Sequence, residues 1–184
     1  MSLKELTMSQ HRNAERQKFA GVLMSGKISE DTYLKYLMNQ HHCYSALENL
    51  KEFKLPDKRL KRSKQIQKDI DELLDLLPEY DYQLSEVLTD STMDYGNYVK
   101  ENIKTQEDFM AHVYVRYLGD LRGGQMISKK VPGRGKYYEF DEPEELANSI
   151  YRQLNDDMAD EAKKVFDFAT KLFVEMGEIL DEAN

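Results

Sequence analysis

Apolar residues return at helical spacing along nearly the whole chain, as at Tyr33, Leu37, Tyr44 and Leu47 with Gln40 as the one polar exception, while alternation with a period of two is scarce. A chain patterned this way buries its apolar stripes by packing helix on helix, so an all-α fold follows. Start signals agree. Ser2 is followed by Glu5, Ser29 stands before "EDTYLKYL", and Thr105 is followed by Asp108, each resembling an N-cap with an acid in the first turn. Gly26, Pro56 and Pro78 supply stops. Helices are predicted over 3–25, 30–53, 58–77, 92–103, 106–130 and 143–182. The segment "VPGRGKYYEFDEP", Val131 to Pro143, has two prolines, two glycines and no helical face, and reads as the one substantial loop. No repeat and no break in composition divides the chain, so residues 1–184 are expected to form a single domain.

A formal net charge of −8 disfavours a general nucleic-acid binder, which needs a basic surface to displace counterions. No apolar run approaches the roughly 20 residues that cross a bilayer, and "MSLKELTMSQ" lacks the apolar stretch of a signal peptide. A soluble, cytoplasmic protein without membrane contact is expected. The single Cys43 cannot form an internal disulfide, and no cysteine spacing suits zinc or an iron–sulfur cluster. Charge is uneven. Between Lys51 and Lys68, eight Lys or Arg residues meet two acids, a local excess of six in an acidic protein. Such a run is either a solvated helix face or a docking surface for an acidic partner.

Chemistry could begin at His11, His41, His42 or His112. His41 and His42 are adjacent and diverge by about 100° on a helix, so they do not converge on one metal. They read as surface or boundary residues. His11 lies among small and polar neighbours, Ala14 and Glu15, with Glu15 one turn away. The stretch "YLGDLRGGQ", Tyr117 to Gln125, sets three glycines and an acid inside a predicted helix. Each interior glycine costs about 0.5–1 kcal/mol relative to alanine. Val115, Gly119 and Gly123 recur every four residues, a ridge almost bare of side chains against which a flat ligand could lie. His112, Arg116 and Asp120 form a neighbouring polar ridge at the same spacing. The glycines also suit close helix packing or a C-cap at Gly123 and Gly124, and Asp120 an exposed pair with Arg116.

The stretch "AHVYVRYLGDLRGGQ", Ala111 to Gln125, closely resembles the signature of the haem oxygenases, and "HRNAE", His11 to Glu15, resembles their proximal-histidine segment. The likeness runs on through "YSALE", Tyr44 to Glu48, and "SIYRQLN", Ser149 to Asn155, in the family's order. It implies a single-domain helical bundle with haem, both substrate and cofactor, between a proximal N-terminal helix and a kinked distal helix. On that resemblance His11 is the axial ligand of the haem iron and Glu15 orients its imidazole, while Gly119 and Gly123 let the backbone approach the porphyrin. Asp120 holds a water that supplies a proton, anchored with help from Arg116 and Tyr44. Lys4, Tyr114 and Arg152 fall where the family has propionate-binding groups, and Phe166 and Phe173 where it has aromatics near the pocket. Two departures stand out: Arg122 in place of a small residue, and Asn148 in place of a lysine.

The implied reaction consumes O2 and electrons from an external donor and yields biliverdin (IXα), carbon monoxide and ferrous iron. No stretch after Gly177 resembles a membrane anchor, which points to the soluble bacterial, algal or viral type. There the usual donor is ferredoxin, for which the Lys51–Lys68 segment would be the landing site, and a bilin reductase would act downstream. Two other readings stay open: a non-catalytic haem carrier on the same scaffold, and a helical interaction module.

Overall fold

The computed structural model describes residues 1–183, and among them every regular element is helical. Helix α1 (Leu3–Glu15) opens on a capping box, with Ser2 Oγ accepting from the Glu5 N–H and Glu5 accepting from the Ser2 N–H. The predicted 3–25 helix is in fact two. Gln17 is extended, at φ −67° and ψ 143°, and α2 (Lys18–Ser25) starts afresh before ending on Gly26 in the left-handed conformation at φ 76°. Helix α3 (Glu30–Glu48) starts on the Ser29 cap and stops at Asn49, short of the predicted 53. Over 58–77 only Ser63–Leu76 is α-helix (α4), preceded by a 3₁₀ turn at Lys58–Leu60. Short α5 (Leu84–Val87) was not foreseen, and α6 (Asp90–Asn102) begins two residues early, on the Thr89 cap.

The stretch predicted as a helix over 106–130 is one rod with a change of winding. α7 (Gln106–His112) passes into a π-helical turn at Val113–Leu118 and then α8 (Gly119–Ile127). The wider turn alters which residues share a face. The predicted 143–182 helix divides into α9 (Pro143–Tyr151) and α10 (Ala159–Ala183). Asn155 causes the break: its side chain accepts from the Asp157 N–H and caps a 3₁₀ turn, a local bond that competes with helix continuation.

α10 packs along α1 and against α2, α6 and α7, while α3 lies between α4 and α6. The core between them is rich in aromatics, with Phe19, Tyr33, Tyr44, Tyr95, Phe109, Tyr117, Tyr137 and Tyr138 almost completely buried. Two of these tyrosines come from the segment expected to be loop. It folds into a 3₁₀ turn, Lys136–Tyr138, and α4 holds it in place. Asp69 accepts from the backbone N–H of Lys136 (2.9 Å) and Tyr137 (2.8 Å), and Glu72 accepts from that of Arg134 (2.7 Å). The buried Arg62 donates to the carbonyls of Tyr137 and Glu139 and stacks 3.8 Å over Phe140. Burial raises the Asp69 carboxyl, against the two N–H donors that pull it down.

Candidate functional site

A cavity of about 660 Å³ opens between α1, α2, α3, the α7–α8 rod and α10, within the roughly 300–1,000 Å³ typical of small-molecule clefts. α1 contributes His11, Ala14 and Glu15, and α10 contributes Phe166, Ala169, Leu172 and Phe173. The rod contributes Val115, Arg116, Gly119, Asp120, Arg122 and Gly123, and α3 contributes Tyr36, Gln40 and Tyr44. The lining is mostly apolar, with a few polar groups converging on it.

His11 is half-buried. Its ring stacks on Phe166, with centroids 5.2 Å apart and planes at 15°, and its Nε2 lies 2.7 Å from Glu15 Oε1. A face contact and an edge hydrogen bond fix the imidazole plane while one ring nitrogen stays free for another partner.

Within the rod the three glycines divide into two kinds. A Cβ built on Gly119 or Gly123 meets nothing within 4 Å, so both face open space on the cavity side. A Cβ on Gly124 would come 2.2 Å from Tyr138 Cδ1, so that glycine is required by close packing. Close packing, one of the alternatives left by the spacing, thus accounts for Gly124, while Gly119 and Gly123 leave bare backbone facing the cavity.

Asp120 is partly buried. Tyr44 Oη lies within hydrogen-bond distance of its Oδ2 and of the Arg116 carbonyl (2.8 Å), one proton shared between the two acceptors, and Tyr137 Oη donates to the same Oδ2 at 2.5 Å. Both tyrosine bonds fall on Oδ2, which leaves Oδ1 for a water or ligand. Burial pushes the Asp120 carboxyl up, and the Tyr137 and Tyr44 hydroxyls with the Arg116 and Arg62 charges offset only part of it. Burial, and then the charge of Asp120, push both tyrosine hydroxyls up, so they stay protonated donors. Gln40 extends the chain of bonds, its Nε2 donating to Tyr137 Oη (2.8 Å) and Tyr36 Oη (3.2 Å).

The expected polar ridge does not survive the π turn. His112 is fully buried behind the cavity, with Nδ1 bonded to Tyr95 Oη (2.6 Å) and Nε2 to Glu161 (2.8 Å). The buried Arg116 lies with its guanidinium 4.0 Å over the Tyr95 ring. Burial pushes His112 down, against the pull of Glu161 in the other direction. Three other sequence candidates stand outside the cavity lining. Lys4 is exposed on the first turn of α1, and Arg152 is exposed at the end of α9. Tyr114 lies edge-on to Phe166, with its hydroxyl 3.5 Å from Thr7 Oγ1. Tyr137 and Gln40 were missed: one lay in a segment without periodicity, and the other was visible only as the polar exception in an apolar stripe.

Helices α1 and α10 on one side and a glycine-bared rod on the other define a class of all-helical protein with a mostly apolar cleft, one wall of which is bare backbone. A family model described as Heme oxygenase matches residues 1–180, and the chain belongs to the haem oxygenase family. Among its relatives, heme oxygenase of Guillardia theta is 30% identical over 154 residues, 77% of this chain and 65% of that protein. Heme oxygenase of Porphyra purpurea is 29% identical over 78% of this chain and 66% of its own, so this chain spans just under two thirds of both. Heme oxygenase 1 of Synechocystis sp. is 26% identical over 95% of this chain and 82% of its own. The crystal structure of the Synechocystis heme oxygenase-1 in complex with heme superposes with a TM-score of 0.79 at 25% identity, covering 98% of this chain and 93% of that one. Heme oxygenase from Leptospira interrogans gives 0.77 at 25% identity, over 95% and 100%.

Proposed function

We propose that this chain is a haem oxygenase that binds haem in the cavity and opens its ring with O2 and electrons, giving biliverdin IXα, carbon monoxide and ferrous iron. The observation that carries this reading is the bare backbone at Gly119 and Gly123 sharing one cavity with His11 and with a carboxylate held by two tyrosines. The residues fit a large flat ligand with a central metal: a fixed imidazole with one free nitrogen, a wall without side chains, and an apolar lining. Haem, when bound, supplies the iron at which O2 is activated and is itself oxidised.

The chain's residues supply position and protons. His11 would hold the haem iron through one ring nitrogen, and Glu15, at the other, would fix the orientation of the imidazole. Gly119 and Gly123, with no side chain toward the cavity, would let the porphyrin lie against peptide atoms. Asp120 binds a water through Oδ1 and so holds a proton beside the reacting centre, while Tyr44 and Tyr137 fix the carboxylate through Oδ2. Arg116 contributes its carbonyl to Tyr44 and its charge to Asp120. Phe166 and Phe173, in the cavity wall, would pack against the ligand, and Lys4, Tyr114 and Arg152 are the groups outside the lining that would serve its propionates.

Electrons come from an external donor, and reduced ferredoxin suits the charge. Of the eight cations between Lys51 and Lys68, Arg59 is bound to Asp57, Glu142 and Glu145, and Arg62 is buried in the core. The six lysines stay exposed, and four of them, Lys51, Lys54, Lys58 and Lys61, rim a groove that also holds Phe53 and Phe109. A bilin reductase would take the product. Among the described residues no helix is long and apolar enough to cross a membrane.

The test is to mix purified protein with haemin, add a reductant in air and follow the visible spectrum. Loss of the haem band with growth of a bilin band is expected. A stable haem complex that never converts would favour a carrier, and no binding at all would sink both readings. His11→Ala should lose axial ligation and ring opening, whereas Asp120→Ala should keep haem but turn to peroxidase-like turnover; normal bilin formation by the latter would refute its role.

A further inference from the structure

The cavity lining contains two arginines with different situations. Arg116 is buried, with its guanidinium spread over Tyr95. Arg122 is 43% exposed and reaches solvent, so of the two it is the one standing at the cavity's mouth. It lies three residues after Gly119 and immediately before Gly123, so its side chain rises at the margin of the bare strip. Its partner is Glu144 on the first turn of α9, whose Oε1 is 2.7 Å from Arg122 Nη1, and its guanidinium lies 5.8 Å from the Tyr151 ring. α9 carries Glu144 and Glu145 but no cation, and Asn148 in its middle is exposed and uncharged. Among the residues that line the cavity, Arg122 is therefore the exposed cation at its mouth.

We propose that Arg122 receives a carboxylate of the bound ligand at the cavity mouth, and that Glu144 occupies its guanidinium fork until the ligand arrives. The inference rests on the haem reading, since haem brings two propionates to a cavity that is otherwise apolar. The exchange costs little: Glu144 is 77% exposed, and a surface pair of this kind, facing water on both sides, adds little stability. A propionate held partly inside the cavity mouth is less hydrated and less screened, and a guanidinium can grip it with two parallel N–H donors. Binding would then break the Arg122–Glu144 link between the rod and α9.

The experiment titrates the full-length protein with haemin and with haemin dimethyl ester, whose propionates are uncharged, for wild type, Arg122→Gln and Glu144→Gln. Arg122→Gln should weaken haemin binding about fivefold or more while changing ester binding less than twofold. Glu144→Gln should tighten haemin binding severalfold, because the competing carboxylate is gone, and leave the ester unaffected. Equal effects of Arg122→Gln on both ligands, or none on either, would overturn the proposal while leaving haem binding intact. A wild type that binds neither ligand would overturn the functional reading as well.

Discussion

At the scale of single residues, Asp120 is costly to keep charged. A carboxyl whose folded pKa lies above its unfolded value, about 3.9, holds its proton more tightly when folded, so its own contribution to stability is greatest in acid and is lost as pH rises through the folded value. Asp120→Asn removes that titration. Its urea midpoint, relative to wild type, should therefore rise between pH 4 and pH 7, and an unchanged difference would contradict the burial argument. Tyr137→Phe acts in the other direction on the same group, removing a donor that stabilises the anion. The acid limb of the turnover profile should move to higher pH, and the same limb in Tyr44→Phe should move with it. Neither tyrosine's share was equally legible. Tyr44 sits on a helix with clear periodicity, whereas Tyr137 is placed by Asp69 and Arg62, long-range partners that no local pattern announces.

At the scale of elements, the rod from Gln106 to Ile127 was visible as a helix but its winding was not. The Thr105 cap and the run of apolar positions fix where it begins and which way it lies, because those depend on neighbours in sequence. The π turn depends on what the rod packs against, and it carries His112 away from Asp120 into a pairing with Tyr95 and Glu161. Boundaries failed for a related reason: Asn155 and Gln17 end helices through local bonds and backbone angles that compete with an unbroken hydrophobic pattern. The three glycines give this scale its sharpest test. Gly124→Ala should destabilise the haem-free protein by about 1–3 kcal/mol through overpacking on Tyr138. Gly119→Ala and Gly123→Ala should instead stabilise it by about 0.5–1 kcal/mol through helix propensity, yet weaken haem binding. Urea unfolding and haemin titration on the same three variants separate the two roles.

For the whole molecule, the acidic balance and the lysine-rimmed groove divide the surface into regions of opposite sign. Reversing Lys51, Lys54, Lys58 and Lys61 together to Glu should cut ferredoxin-supported turnover at low salt by about tenfold or more, and flatten its dependence on ionic strength. Turnover with a small chemical reductant reports on the haem site in the same variant, so the two effects can be told apart. The charge excess was plain in the sequence; that Arg59 is tied up in ion pairs and Arg62 buried in the core, leaving the six lysines exposed, was not. The cleft also has an asymmetry of design. At Gly119 and Gly123 the wall is already as thin as a polypeptide can be, so every substitution there narrows the chamber. On the α10 side, Phe166, Leu172 and Phe173 can each be trimmed. Any variant selected for a bulkier ligand must therefore gain its room from walls that carry side chains, such as α10 beside the imidazole, and the glycine wall can only be tightened.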